Sequence, residues 1–339
     1  MKIVIPDDYQ GMIDQLQCFS LIRHHDVVRY RTPARDLDQL IERLDDADVV
    51  VSIRERVEFS RALLERLPRL KLIALVGRSS HMLDFNAATE LGIPVSTGVS
   101  NSPVAPAELT LALIVASRRN VALEAERMKR GDWPCTLSHR LRGSTLGIFG
   151  LGHIGQLVAE GGRGLGMKVL VLGQKASQER AVAAGYEIAS GKADLFERSD
   201  VLSLCVRLRP ETRGIVGPED LARMKPTALL VNVARAELVQ PGALLAALRQ
   251  GRPGYAAVDV YEQEPIVNGD HPFLQMPNVL CTPHLGWAEW DNFELYFREA
   301  FEQIVKFESG EPLRLANPKV TPRRSAEPRA VTASGEDSR

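Results

Sequence analysis

Across 339 residues there are only four cysteines, Cys18, Cys135, Cys205 and Cys281. They have neither the close pairing of a zinc site nor the density of a disulfide-stapled secreted domain. They read as reduced, packed small hydrophobes, and no metal site is expected. Long apolar stretches are also missing. No run approaches the roughly 20 residues of a spanning helix, and the opening MKIVIPDDYQ meets acids too soon for a signal peptide. A cytoplasmic address and no membrane partner follow as expectations. Charge of one sign is lacking too, with 42 Lys and Arg against 43 Asp and Glu. Nucleic acid and anionic membrane surfaces need a concentrated positive field, so neither is an expected partner. A small-molecule partner fits better. There is no internal repeat.

What is present is ordinary globular material, 45% hydrophobic and 25% charged, enough for two cores of usual domain size. Short β-branched runs alternate with longer helical stretches. The strand candidates are Lys2 to Pro6, Asp48 to Ile53, Leu70 to Val76, Thr145 to Gly150, Lys168 to Leu172, Val201 to Val206, Ala228 to Val233 and Gly254 to Val260. Continuous runs such as VLVL and ALLVNV suit strands buried on both faces, so an α/β fold with parallel sheets is predicted. The segment Ala105 to Asn120 reads as one helix, with Pro near its start, an acid in its first turn and basic residues at its end. From about Pro318 the composition turns to Pro, Arg, Ser and Glu, and residues 318–339 are expected to be disordered.

Residues 144–155 read STLGIFGLGHIG. An apolar strand runs into Gly150, Gly152 and Gly155 and then into a helix opened by Gln156, Leu157 and Val158. This is G-x-G-x-x-G in its strand-turn-helix setting, a dinucleotide fingerprint. The first glycine permits the turn, the second lets backbone approach a pyrophosphate, and the third lets helix and strand pack closely. The helix amino terminus offers amides and partial positive charge to the phosphates. At the end of the next strand, where an acid usually meets the ribose, stands Gly173, followed by Gln174 and Lys175. With no carboxylate to repel a 2′-phosphate and a Lys to attract one, both NAD and NADP stay open.

Three further segments follow strand-like runs: LLVNVARAEL with Arg235, AAVDVYEQEP with Asp259 and Glu264, and NVLCTPHLGW with His284. Loops at the carboxyl ends of parallel strands build the ligand crevice of an open α/β sheet. The ordered series of glycine fingerprint, Asn-x-x-Arg, Asp-Val-x-x-x-Glu-Pro and Thr-Pro-His resembles the D-isomer-specific 2-hydroxyacid dehydrogenases over about residues 45 to 315. That family includes phosphoglycerate dehydrogenase and the glyoxylate and hydroxypyruvate reductases. The resemblance implies hydride transfer between NAD(P)(H) and C2 of a small 2-hydroxy or 2-oxo acid. It makes Arg235 the substrate-orienting arginine, Glu264 the acidic partner and His284 the acid/base. Asp259 would meet the nicotinamide carboxamide. His153, Ile154, Gln174, Lys175, Cys205, Val206, Arg207, Val233, Ala234 and Gly286 would lie along the cofactor, beside the three fingerprint glycines.

The chemistry asks for these types independently. Hydride delivery to C2 leaves charge on the carbonyl oxygen, so a proton donor that titrates near neutrality must stand beside it, which suits histidine. A carboxylate on the other ring nitrogen fixes the tautomer and favours the imidazolium. Arginine meets a carboxylate through its fixed fork of donors. On the substrate side, LIALVGRSSHMLD matches a family stretch whose amides near Val76, Gly77 and Arg78 hold the substrate carboxylate. By the same resemblance, Arg54 falls at a position where family members bring a polar or basic side chain to the pocket. Departures from the pattern are Arg235-Ala236 in place of Arg-Gly, Cys205-Val206-Arg207 in place of His-Val-Pro, and the bulky Trp287 and Trp290 after the histidine.

The implied architecture is two Rossmann-like domains. A discontinuous substrate domain covers 1–100 and 286–317, and a cofactor domain covers 101–285. Family members imply a homodimer built largely on the cofactor domain, including the Arg118 to Leu141 region. The main rival is a dinucleotide-sensing, corepressor-like binding protein on the same scaffold.

Overall fold

The computed structural model describes residues 1–54, 56–78, 80–133, 136–266 and 269–323. Cys135 and residues 324–339 of the expected tail lie outside the described residues. The chain divides into two compact units, Met1–Asn101 with Phe293–Arg339, and Ser102–Asn292. The return crossing falls after Asn292 rather than at residue 286. Residues 286–292 stay with the second unit because Gly286 N donates to Asp259 and Asn292 Nδ2 donates to Trp287 O within it.

Among the described residues the first unit carries five parallel strands: β1 (Lys2–Ile5), β2 (Asp26–Arg29), β3 (Val49–Ile53), β4 (Leu72–Val76) and β5 (Val95–Ser96), in the order β2-β1-β3-β4-β5. β3 and β4 are buried at every position, which is why VVVSI and LIALV read as unbroken apolar runs. Val4, Val50, Ile73, Leu75 and Val95 share one core cluster with Phe59, Leu63 and Leu64. The unit closes through sequence-distant contacts: Asn317 Oδ1 accepts from Val95 N and its Nδ2 donates to Ile93 O. Residues 318–323, at the start of the expected tail, run on from there, and Arg323 N donates to Gly92 O.

The second unit holds β6 (Thr145–Phe149), β7 (Lys168–Leu172), β8 (Glu187–Ile188), β9 (Val201–Leu204), β10 (Leu229–Asn232), β11 (Tyr255–Val258) and β12 (Val279–Cys281), in the order β12-β11-β10-β9-β6-β7-β8. All pairings are parallel. Alternation along β10 divides its side chains between two cores: Leu229 and Val231 enter one cluster, Leu230 the other. All strands run the same way, but the order in which they are added reverses between β6 and β9, so the crevice at a topological switch point opens beyond the carboxyl ends of those two strands.

Two helix boundaries differ from expectation. The helix expected over Ala105 to Asn120 runs Val104–Arg118, and Glu108 lies beyond its first turn. Asn120, at φ 55°, then turns the chain into a second helix, Val121–Lys129. The helix after the glycine loop begins at His153 rather than Gln156, because Gly152 is its extended amino-terminal cap. Among the described residues no helix is long and apolar enough to cross a membrane.

Asp7, just after β1, is 2% exposed, and its Oδ2 has no hydrogen-bond partner among the described residues. Burial pushes its carboxyl up from 3.8 to about 6 against the pull of the Tyr9 hydroxyl and of Arg56. Below the ordinary carboxyl range both folded and unfolded chains hold the proton, and the site costs nothing. As pH rises toward about 6 only the unfolded chain ionises freely, so stability falls, and above about 6 the whole cost is present. Asp7→Asn keeps an acceptor for Tyr9 and is expected to stabilise the protein at pH 7–8 by up to about 3 kcal/mol. Melting curves should then converge below pH about 4, and equal Tm values at neutral pH would contradict the account.

Candidate active site

The glycine loop follows β6 directly. Gly150 stands at φ +98°, where only glycine is at ease, and a Cβ there would lie 3.0 Å from the Cys205 carbonyl oxygen. Gly155 has less room still: a Cβ would come within 2.3 Å of Gly150 O. Gly152 is different, with nothing within 4 Å of the Cβ position. The space above the amino terminus of the helix His153–Gly164 is thus open where a phosphate would approach, and the glycines on either side fix the loop. Cys205 and Val206 border the same loop, and Cys205 N donates to Phe149 O at 2.9 Å. Burial pushes the Cys205 thiol up to about 11, so it stays protonated and acts as a packed neutral side chain.

Gly173 follows β7 and leads into the helix Lys175–Ala184. A Cβ on Gly173 would meet Ser177 Cβ at 2.6 Å, so residue 173 is small because the helix start crowds it. Gln174 caps that helix and Lys175 opens it, both exposed. Arg180, which sequence reasoning passed over, donates from Nε to Leu151 O at 2.7 Å and ties this helix to the glycine loop.

On the other side of the switch, Asn232 ends β10 with its side chain buried. Its Nδ2 donates to Arg235 O at 2.9 Å and its Oδ1 accepts from Ala234 N at 3.1 Å. The side chain therefore bridges its own loop, which carries Val233, Ala234 and Arg235, and Arg235 Nη1 donates to Ala234 O at 2.7 Å.

His284 Nδ1 lies 2.5 Å from Glu264 Oε2, each side chain 20% exposed. Glu264 Oε1 is held by Tyr261 N at 2.9 Å. Among the described residues no hydrogen bond engages His284 Nε2. His284 itself sits at φ +51°, a region that non-glycine residues rarely occupy. Asp259, fully buried beyond β11, holds that turn. Its Oδ1 accepts from Thr282 Oγ1 at 2.6 Å and Leu285 N at 2.7 Å, and its Oδ2 from Gly286 N at 2.8 Å. Burial raises the Asp259 carboxyl above its usual value, and these three hydrogen bonds pull the other way. The residue expected at the nicotinamide thus spends its carboxylate on the loop that carries the histidine. A Cβ on Gly286 would fall 2.9 Å from Val233 Cγ1 and 3.1 Å from Asp259 Oδ2, so the Arg235 loop and the His284 loop are neighbours. Trp287 is buried and Trp290 is half exposed at the start of the helix Trp290–Ser309.

The remaining candidates belong to the first unit. Val76 ends β4, Gly77 follows at φ +115°, and a Cβ on Gly77 would lie 3.6 Å from Arg54 Nη1. Arg54, at φ 45°, places its guanidinium 6.0 Å from the Tyr296 ring centre. The Arg78 side chain is exposed, and its carbonyl accepts from Thr97 Oγ1 at 2.7 Å. In the second unit a cavity of about 180 Å³ beside Asn232, lined by Val239, Leu244, Val258 and Phe273 among others, touches neither the glycine loop nor the Glu264–His284 pair.

Residues 111–286 match the D-isomer specific 2-hydroxyacid dehydrogenase, NAD binding domain. A D-3-phosphoglycerate dehydrogenase of Methanocaldococcus jannaschii is 37% identical over 276 residues, which are 81% of this chain and 52% of that protein. The chain spans about half the length of that relative. A glyoxylate reductase of Aeropyrum pernix is 35% identical over 315 residues, 88% of this chain and 92% of the relative. A solved oxidoreductase structure from Ralstonia solanacearum matches with a TM-score of 0.90 at 46% identity, covering 94% of this chain and 97% of its own. The chain belongs to the D-isomer-specific 2-hydroxyacid dehydrogenase family. It is a nicotinamide-dependent oxidoreductase that acts on the CH–OH group of a 2-hydroxy acid and, in reverse, on the 2-oxo acid.

Proposed function

We propose that His284 is the proton donor and acceptor of this reaction, Glu264 its partner and Arg235 the group that orients the substrate. The carrying observation is the 2.5 Å contact of Glu264 Oε2 with His284 Nδ1, which leaves Nε2 without a partner among the described residues. When bound, the reduced dinucleotide supplies a hydride to C2. His284 Nε2 gives the carbonyl oxygen its proton and the ring becomes neutral. Oxidation of the alcohol runs the same transfers backwards. Glu264 keeps the proton on Nδ1, and Asp259 positions the histidine through Thr282, Leu285 and Gly286. Gly150, Gly152 and Gly155 would hold the pyrophosphate with the helix His153–Gly164. In the first unit, the amides of Val76, Gly77 and Arg78, with Arg54, are assigned to the substrate carboxylate.

For the cofactor we infer that NADPH is accepted. No carboxylate ends β7, and Lys175 is exposed at the start of a helix. Lys175→Ala should weaken NADPH by about tenfold, the 1.4 kcal/mol of one exposed charged contact to phosphate, and leave NADH nearly unchanged. Equal losses would remove that role. The substrate class is a small 2-oxo or 2-hydroxy acid such as the glyoxylate and 3-phosphoglycerate of the named relatives. The test is nicotinamide absorbance with NADH and NADPH in parallel, over glyoxylate, hydroxypyruvate, pyruvate, phenylpyruvate and 2-oxoglutarate, with 3-phosphoglycerate in the oxidative direction. Turnover fixes substrate and cofactor together. Tight dinucleotide binding with no turnover on any of them would favour the sensing protein.

A homodimer built on residues 118–141 fits the apolar side chains exposed there: Val121 at 52%, Met128 at 63%, Trp133 at 88% and Leu137 at 95%. Light scattering should give twice the chain mass, and Trp133→Ser with Leu137→Ser should lower it; a monomeric parent would refute the interface. A cytoplasmic address suits the free thiols of Cys18, Cys205 and Cys281.

A further inference from the structure

Two adjacent histidines and a sequence-distant glutamate meet in the first unit, and none of the three has been given a role above. His24 and His25 close the irregular segment before β2, and Glu308 lies in the last turn of the helix Trp290–Ser309. Glu308 Oε2 is 3.5 Å from His24 Nε2 and 3.4 Å from His25 Nε2. The three candidate ligand atoms all lie within 4.8 Å of one another, with the two imidazole centres 3.9 Å apart. The His25 side chain is only 4% exposed, and its buried Nε2 makes no hydrogen bond among the described residues. An ion pair leaves that nitrogen unexplained, since the carboxylate approaches it without hydrogen-bond geometry. A buried ring nitrogen with no donor or acceptor partner is costly.

We propose that His24, His25 and Glu308 bind a divalent transition-metal cation of the zinc class. Zinc takes imidazole nitrogen at about 2.0–2.1 Å and carboxylate oxygen at about 2.0–2.2 Å, and a tetrahedron of those radii sets neighbouring ligand atoms about 3.3–3.5 Å apart. The two separations to Glu308 already have that length. Two imidazoles and one carboxylate suit zinc and its neighbours, whereas magnesium and calcium ask for oxygen ligands. His24 and Glu308 are half exposed, so water completes the shell on the open side. The ion would pin the segment before β2 to the last long helix and close a loop that spans most of the chain.

The experiment uses untagged full-length protein stripped with a chelator and titrated with Zn²⁺ against a chromophoric competitor, with Co²⁺ absorbance as a second readout. One ion per chain is expected, and Zn²⁺ should raise Tm. His284→Ala should retain this binding, which separates it from the Glu264–His284 pair. His24→Ala and Glu308→Gln, whose exposed side chains leave the fold alone, should each weaken Zn²⁺ by more than the roughly 10–100-fold that loss of an outer-sphere partner costs. Those variants should also lose the intense d–d bands of tetrahedral Co²⁺. His25→Ala should abolish the site. The proposal fails if the parent binds no Zn²⁺, or if a double variant of His24→Ala and Glu308→Gln binds as the parent does.

Discussion

His284→Ala is expected to lower kcat by about 10²–10⁴-fold, the usual worth of a positioned general acid, or about 3–5 kcal/mol of barrier. Dinucleotide affinity should survive, because the glycine loop and the helix His153–Gly164 are built without that ring. Glu264→Gln should cost less. An amide still meets Nδ1, but it no longer compels that nitrogen to be the donor. Asp259→Asn should also reduce kcat with little change in dinucleotide binding, since one amide group cannot accept from Thr282, Leu285 and Gly286 together. Steady-state kinetics with a fluorescence titration of NADH or NADPH separates these effects. Wild-type turnover in His284→Ala would end the proton-donor assignment.

Gly155→Ala should damage both fold and cofactor binding, whereas Gly152→Ala should damage binding alone. A Cβ at 155 falls 2.3 Å from the backbone oxygen of Gly150 and 3.3 Å from Ile148 Cγ2. Neither neighbour is a flexible tip, so the helix His153–Gly164 must move away from β6. Overpacking of this kind costs about 1–3 kcal/mol, and the displaced helix no longer aims its first amides at the phosphates. At 152 a methyl meets nothing in the protein, so Tm should hold and any loss of affinity reports the ligand's own approach. Both variants are expected to bind NADH at least about tenfold more weakly, a difference of 1.4 kcal/mol. Parent-like binding by Gly152→Ala would remove the phosphate from above that glycine.

The central strands were legible because parallel strands buried on both faces leave unbroken apolar runs, as VLVL in β7 and ALLVNV around β10 do. The edges were not. β2 reads DVVR and is nowhere fully buried, and β5 and β8 contribute two residues each, too short and too mixed to carry a period. Arg235, Glu264 and His284 were legible as an ordered series of loops, but what holds them was not. Asp259 is tied to residues more than twenty positions later in the chain, and nothing in Thr-Pro-His announces a left-handed backbone at His284. Glu308 has no local spacing to the adjacent His24 and His25. Only the fold of the first unit puts the pair beside a carboxylate from the far end of the sequence.

The division of the chain also has a consequence in time. Ser102–Asn292 is one uninterrupted stretch, while the first unit is written in two pieces on either side of it. Strands β1 to β5 leave the ribosome first, yet Asn317, which bonds to Val95 and Ile93, is made only after the whole second unit. At about 5–20 residues per second that wait is roughly 10–40 s. The nucleotide-binding unit is therefore expected to fold on a nascent chain whose first sheet still lacks its last helix, and a ribosome stalled after Asn292 should release a protease-resistant second unit joined to a protease-sensitive amino-terminal third.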